Sequence, residues 1–412
     1  MPATTLRAPV RAMNACARSA APARRRSASS PAPASRPEAG PATVDRDPVV
    51  DLLRAASIVV VVTWHWVANL VVWGDDGPYA VNPIGEVPGG WLATWVLQVM
   101  PLFFVLGGFA AAGALARAGG SGPFVVRRLR ALAGPAVVPL AGVAAVAVGL
   151  HLLTGGAAWV VPAALLLVMP LWFLAVYLVL VIAFPAMAAA HRRAGLLAVV
   201  PWAAVAVLLD LGRFCWGWSP WIGILAFVAV YGFAHQLGLS WARLVADRRR
   251  CWGLVAVGLA GLVVLTGPVG YPRSMVGIAG EPVSNMAPPT IPVLFLCLLQ
   301  CGLAGLARPW LARRLAERRG LRRTSSWMNA NAMAVYLWHV AGAAAAAGVL
   351  LVSGLPRPDR FTGTAWIERP LAVAVAAATT AGLLGLSGRV RRRRATLSAC
   401  PPPSPSSTST AR

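Results

Sequence analysis

The chain has 412 residues, of which 58% are hydrophobic and only 12% charged, and its mean hydropathy is +0.67. That balance lies outside the range of a water-soluble globular domain and describes a polytopic membrane protein. All 37 basic residues are arginine and leave a net charge of +24 against 13 acids; because they sit between apolar runs of bilayer length, they report topology and exclude a nucleic-acid binder.

Residues 1–47 are rich in Arg, Ala, Pro and Ser and contain no continuous apolar stretch, so they fail as a secretory signal. They are expected to form a disordered cytoplasmic tail, with an organellar transit peptide or a start codon placed too early as alternatives. A crossing needs about 20 mainly apolar residues. Ten candidate spans follow, at 49–72, 91–115, 132–153, 162–187, 195–211, 220–239, 252–270, 290–307, 328–352 and 369–388. Together they make one membrane domain over 48–388. Residues 389–412, basic at first and then rich in Pro and Ser, read as a second disordered cytoplasmic tail. The expected fold is all-α, ten helices in one bundle with both termini cytoplasmic.

Arginine counts in alternate connections test this division, because cytoplasmic loops carry the excess positive charge. With both tails inside, 32 of the 37 arginines fall on the cytoplasmic side, and the outer connections hold only Arg213, Arg273, Arg357, Arg360 and Arg369. Most tryptophans, such as Trp73, Trp91, Trp202 and Trp310, lie near predicted span ends as interfacial anchors do. The six cysteines show neither zinc-like spacing nor a paired framework, so no metal and no disulfide is expected.

Polar groups inside spans are expensive, and each one is a functional-site hypothesis. In the first span His65 follows Arg54 by eleven residues. At about 100° per residue the two share one face, about 16 Å apart along the axis. Asp51 and Asn69 join that face through i+3 and i+4 spacing. Arg54 is thereby placed below the inner headgroups and His65 about two-thirds of the way across. A neutral imidazole there acts as a general base or nucleophile, with Asn69 setting its tautomer. The competing reading is a packing histidine beside a snorkelling arginine. In the ninth span His339, with Tyr336 close by, is a second acid/base or acceptor-binding group. His235 and His151, at span ends, are expected to be solvated and structural. Asp210, Arg213, Trp216, Trp218 and Trp221 combine charge with aromatic faces that suit a sugar, although an interfacial belt explains the tryptophans equally.

The stretch Asp51-x-x-Arg54 followed by His65 resembles the first-helix signature of the acyltransferase-3 family of integral membrane acyltransferases. Further pieces fit in order: Met100-Pro-Leu-Phe-Phe-Val-Leu-Gly-Gly-Phe109, Arg127-Arg-Leu-Arg130, Pro170-Leu-Trp172-Phe-Leu-Ala-Val-Tyr177 and Asn331-Ala-Met-Ala-Val-Tyr336-Leu-Trp-His339. The resemblance covers essentially the whole membrane core. It implies transfer of an acyl group, usually acetyl, from cytoplasmic acyl-coenzyme A to a hydroxyl of a carbohydrate, glycolipid or polyketide-type acceptor, without a metal. It implies catalytic roles for His65 and Arg54 and donor binding at Arg127 and Arg130. Arg128 completes a cluster suited to the phosphates of the donor. Acceptor binding falls to His339, Tyr336, Trp172 and Asn69. The expected partners are membrane lipid and a small-molecule or glycan acceptor, with no nucleic acid and no protein inferable, and the composition points to a bacterial cytoplasmic membrane. The alternative from another class is a transporter whose Arg54 and His65 line a solute or proton path, but no duplicated half-sequence is visible. An inactive scaffold is a third, weaker reading.

Overall fold

The computed structural model describes residues 47–68, 70–74, 77–278, 281–353 and 363–398. Asn69 and most of both predicted tails lie outside the described residues. The chain begins with α1 (Pro48–Val67), an antiparallel pair β1 (Leu70–Gly74) and β2 (Gly77–Val81), α2 (Trp91–Leu97), α3 (Met100–Ala116) and α4 (Ser121–Ala133). It continues through α5 (Val137–Leu153), α6 (Val160–Val168), α7 (Trp172–Ala194), α8 (Val200–Phe214), α9 (Gly223–Gly238) and α10 (Trp241–Leu244). The last helices are α11 (Arg248–Thr266), α12 (Pro292–Glu317), α13 (Arg319–Val352) and α14 (Gly363–Ser398).

Among the described residues nine helical stretches are long and apolar enough to cross a bilayer, and one of them, Val160–Phe214, runs for 55 residues. A single helix of that length would rise about 80 Å against about 30 Å of hydrocarbon. It turns instead at Gly195–Val199, a 3-10 segment whose glycine adopts φ of 57°. Helix direction decides the count. Asp51 meets Asn329, Ile58 and Val62 pack with Val335, and His65 meets His339, so α1 and α13 run parallel. Parallel helices in an alternating bundle are separated by an odd number of crossings. Counting the 55-residue stretch once leaves six between them, and counting it twice leaves seven, which makes ten in all.

Three details differ from the sequence reading. Helix α1 ends at Val67, five residues early, because the chain turns into the β1–β2 pair. Val71, Val72 and Trp73 favour strand, and Gly74-Asp75-Asp76-Gly77 carries turn residues. Helix α14 continues through the arginine run to Ser398, since arginine is a good helix former and the first proline beyond is Pro401. Helix α4 stands apart from α5 as a separate arginine-bearing helix, divided from it by a Gly134-Pro135-Ala136 3-10 turn.

In lipid, helices associate through close packing rather than through hydrophobic exclusion. A Cβ on Gly108 would stand 2.0 Å from the His235 carbonyl oxygen, and one on Gly238 would stand 2.1 Å from that of Val105. Only glycine at both places lets α3 and α9 touch backbone to backbone. Around this contact lies the main core, with Phe104, Leu106, Leu180, Phe184 and Tyr231 fully enclosed. At the other extreme α5 buries no residue, as suits a helix facing hydrocarbon.

Candidate active site

Asp47 starts α1 by accepting hydrogen bonds from the amides of Val49 at 2.9 Å and Val50 at 3.4 Å, with Pro48 at the first helical position. The same carboxylate pairs with Arg308 of α12, which anchors this end of the helix. His65 stands in the last turn of α1, close to its end at Val67. It is therefore at the end of its helix rather than two-thirds along a span.

His65 meets His339 of α13, 274 positions away in sequence, with Nδ1 of the first 2.9 Å from Nε2 of the second. The rings stack with centroids 5.0 Å apart and planes 22° from parallel. His339 Nδ1 is 2.5 Å from the Tyr336 carbonyl oxygen. A carbonyl only accepts, so His339 Nδ1 carries a proton and donates it there. In a neutral ring His339 Nε2 is then an acceptor, and His65 Nδ1–H must be the donor to it. Neutral His65 is left with its lone pair on Nε2. Trp66 Nε1–H donates to the His339 carbonyl at 2.9 Å, a second tie between the helices.

The Tyr336 hydroxyl donates to the carbonyl of Pro170. Pro170 lies in the 3-10 turn Met169–Leu171 that joins α6 to α7, so this bond satisfies a carbonyl at an interruption of the helix. Phe173 packs edge-on against Tyr336 at 5.4 Å, and Trp172 beside it packs against Phe227 and Tyr231. The fold thus brings together His65, His339, Tyr336 and the Trp172 segment. Arg54 remains three turns away on α1, its guanidinium 5.9 Å from the centre of the Phe103 ring and its buried Nε without a hydrogen-bond partner among the described residues. On α4, Arg127 and Arg130 are exposed while Arg128 is half-buried. The Arg128 guanidinium lies 6.0 Å from the Phe124 ring centre and donates to the Ala110 carbonyl at 3.5 Å. Among the described residues no group of three or more His, Cys, Asp or Glu side chains is placed to hold a metal ion.

Two expectations fail. His235 is fully buried rather than solvated, because the Gly108 contact draws α9 into the core, and its Nδ1–H donates to the Phe104 carbonyl at 3.0 Å. Asp210 does not face a sugar: it is 1% exposed and accepts from Tyr271, from the Ile291 amide and from Arg213. Trp66 is a site residue that the sequence does not single out, since nothing local shows that its indole reaches the His339 carbonyl on α13.

Residues 47–387 match the family model described as an acyltransferase domain. The chain belongs to the acyltransferase-3 family. No curated protein and no solved structure matches it. It is therefore an acyltransferase, an enzyme embedded in the membrane through its apolar helices, and membership sets the transporter and scaffold readings aside. For an acyltransferase the histidine pair is the arrangement on which a catalytic reading rests: one imidazole nitrogen is kept unprotonated beside a second ring that holds its tautomer.

Proposed function

We propose that this acyltransferase moves an acyl group, acetyl in the simplest case, from acyl-coenzyme A to a hydroxyl of a carbohydrate, glycolipid or polyketide-type acceptor. The observation that carries this reading is the hydrogen-bond chain from His65 through His339 to the Tyr336 carbonyl. A hydroxyl is a poor nucleophile until a base takes its proton during attack. Its oxygen attacks the thioester carbonyl carbon while the proton passes to His65 Nε2. The tetrahedral adduct collapses with cleavage of the C–S bond, and His65 returns the proton to the departing thiolate. His339 acts through His65: once that ring is cationic, the bond between them becomes charge-assisted and holds the charge in place.

Arg127, Arg128 and Arg130 grip the donor phosphates, and bidentate guanidinium contacts suit that task. Arg54, about 16 Å from His65 along the helix axis, meets the donor rather than the reacting carbon. Trp172 and Tyr336 shape the wall beside the pair, and Asn69 joins the acceptor side. The catalytic domain is 48–388 between two tails in a bacterial cytoplasmic membrane. Reporter fusions at Glu86, Ala158 and Glu281 report an outer location if both tails are cytoplasmic, and an inner signal at two of them reverses the topology. The central test is transfer from radiolabelled acetyl-coenzyme A by the purified protein: label must leave the thioester for a hydroxyl acceptor or water, and its retention on coenzyme A ends the proposal.

A further inference from the structure

The apolar stretch Trp91–Ala116 crosses the membrane as a broken helix, and the break builds a groove beside His65. Helix α2 stops at Leu97 and α3 starts at Met100, with Gln98 between them at a non-helical ψ of 75°. Inside a bilayer the carbonyls freed at such a break need donors. Gln300 of α12 supplies them, its Nε2 donating to the Trp95 carbonyl at 3.2 Å and to the Gln98 carbonyl at 2.8 Å. The α11–α12 connection ties the same part of α2. The Trp95 indole donates to the Arg273 carbonyl at 2.8 Å, and the Thr94 hydroxyl accepts from the Met275 amide at 2.9 Å. Thr94, Trp95 and Gln98 are buried by these contacts. Ala93 and Leu97, an i and i+4 pair on another face of α2, are left turned towards α1.

Between the two helices lies a groove of about 530 Å³. Val60, Trp64 and Val67 line it from α1, Ala93 and Leu97 from α2, and Ile84 from the 3-10 segment Pro83–Glu86 that precedes α2. Of its lining residues only Thr63, Asn82 and the Trp64 indole carry a polar side-chain atom, and Asn82 Oδ1 is engaged by the Ile84 amide at 3.1 Å. Membrane helices associate by close packing, which closes gaps between them. This one stays open because α2 is held on its far side by Gln300 and the α11–α12 connection. The groove has the size of a small-ligand site, and its walls offer hydrocarbon contact with almost no hydrogen bonding. It runs along α1 from Val59 to Ala68, passing the level of His65, so it opens at the same end of the helix as the histidine pair.

We infer that this groove binds the hydrocarbon chain of the acceptor, which makes the acceptor a lipid that carries its reacting hydroxyl at the head. The inference rests on the acyl-transfer reading above and narrows its acceptor classes to the chain-bearing one. Bilayer hydrocarbon surrounds the groove, so the gain comes from aligning the hydroxyl with His65 around the end of α1 rather than from hydrophobic attraction. Binding is enough: no bond in the chain is made or broken there.

The test uses the purified full-length protein in phosphatidylcholine nanodiscs, with radiolabelled acetyl-coenzyme A and two acceptors that differ only in chain, 1-decanol and ethanol. Ala93→Trp fills the groove from α2, and Val60→Phe fills it from α1. In each variant the ratio of kcat/KM for decanol to that for ethanol should fall about tenfold or more, the penalty of forcing a ring against a bound chain. Partitioning of decanol into the bilayer cancels between parent and variant. An unchanged ratio in an active variant overturns the groove site, as does an equal loss with both alcohols, which a packing defect produces. If neither variant folds, photolabelling of the parent by a diazirine-bearing decanol decides: adducts concentrated on Val60, Trp64 and Leu97 support the site, and adducts spread equally over lipid-facing α5 reduce it to bulk lipid and overturn it. A parent that passes label to ethanol or water but never to decanol overturns the groove and leaves acyl transfer standing. One that leaves acetyl-coenzyme A intact overturns both.

Discussion

Where the α11–α12 connection folds back on the bundle, Asp210 takes the Tyr271 hydroxyl at 3.0 Å, the Ile291 amide at 2.8 Å and Arg213 at 3.4 Å. Asn285 nearby donates to the carbonyls of Pro272 and Ser274 and accepts from Thr290. Around Phe104, polar groups just as deeply enclosed, His235 Nε2 and the Tyr231 hydroxyl, make no hydrogen bond among the described residues. Burial, and the negative Asp210 beside it, push the Tyr271 phenol above its ordinary pKa, so it stays a donor to the carboxylate. The first region is a closed hydrogen-bond network that holds a connection in place. The second is held by aromatic packing around Phe104 rather than by a closed hydrogen-bond network. The histidine pair stands between these cases, with His65 Nδ1 and both His339 nitrogens engaged among the described residues.

The strongest way to break this contrast is at His65. His65→Gln keeps size and hydrogen bonding but takes up no proton, so transfer should fall ~10²–10⁴-fold, the usual contribution of a positioned general base. Near-normal turnover in that variant, measured with labelled acetyl-coenzyme A, moves the base to another residue and makes His339 the next to examine.

At the donor end, Arg127→Ala with Arg130→Ala should raise the acetyl-coenzyme A concentration needed for half-maximal rate on the order of a hundredfold, the cost of losing charged phosphate contacts. Parent-like donor dependence would return both arginines to a purely topological role.

The closed network makes the opposite forecast. Asp210→Ala leaves Arg213 and Tyr271 without their acceptor and should destabilise the fold by about 3–5 kcal/mol, as removal of one partner from a buried pair does. Detergent melting curves read this directly, and the specific activity of the protein that remains folded should match the parent. A large loss of kcat in folded protein would place Asp210 in the chemistry.

The smallest effect is expected at Trp66. Its indole donates to the His339 carbonyl and touches neither reacting nitrogen. Trp66→Phe should cost about five- to tenfold in kcat, one neutral hydrogen bond, with KM for the donor unmoved. A change in donor KM would mean that the tie also shapes the coenzyme path.

Much of the architecture was legible because its causes are local. Apolar runs of bilayer length and arginine-rich connections placed ten crossings, and the helix count agrees once Val160–Phe214 is folded at Gly195. His65 was legible for the same reason, as a costly polar group in an apolar run. The tautomer partner was not: the sequence offers Asn69, one turn away, whereas the observed contact comes from His339, 274 positions on. His235 misled because position near a span end was taken for exposure, and nothing local announces that Gly108 and Gly238 draw α9 inward.

By itself the sequence determined that this is a membrane-embedded helical bundle, which residues cross, and which few polar side chains demand an explanation, because the cost of burying charge in hydrocarbon acts residue by residue. Only the tertiary structure decided which of those side chains meet. Their partners lie on helices whose parallel or antiparallel order depends on every turn between them, so the His65–His339 bond, the closure around Asp210 and the unmet groups around Phe104 are properties of packing.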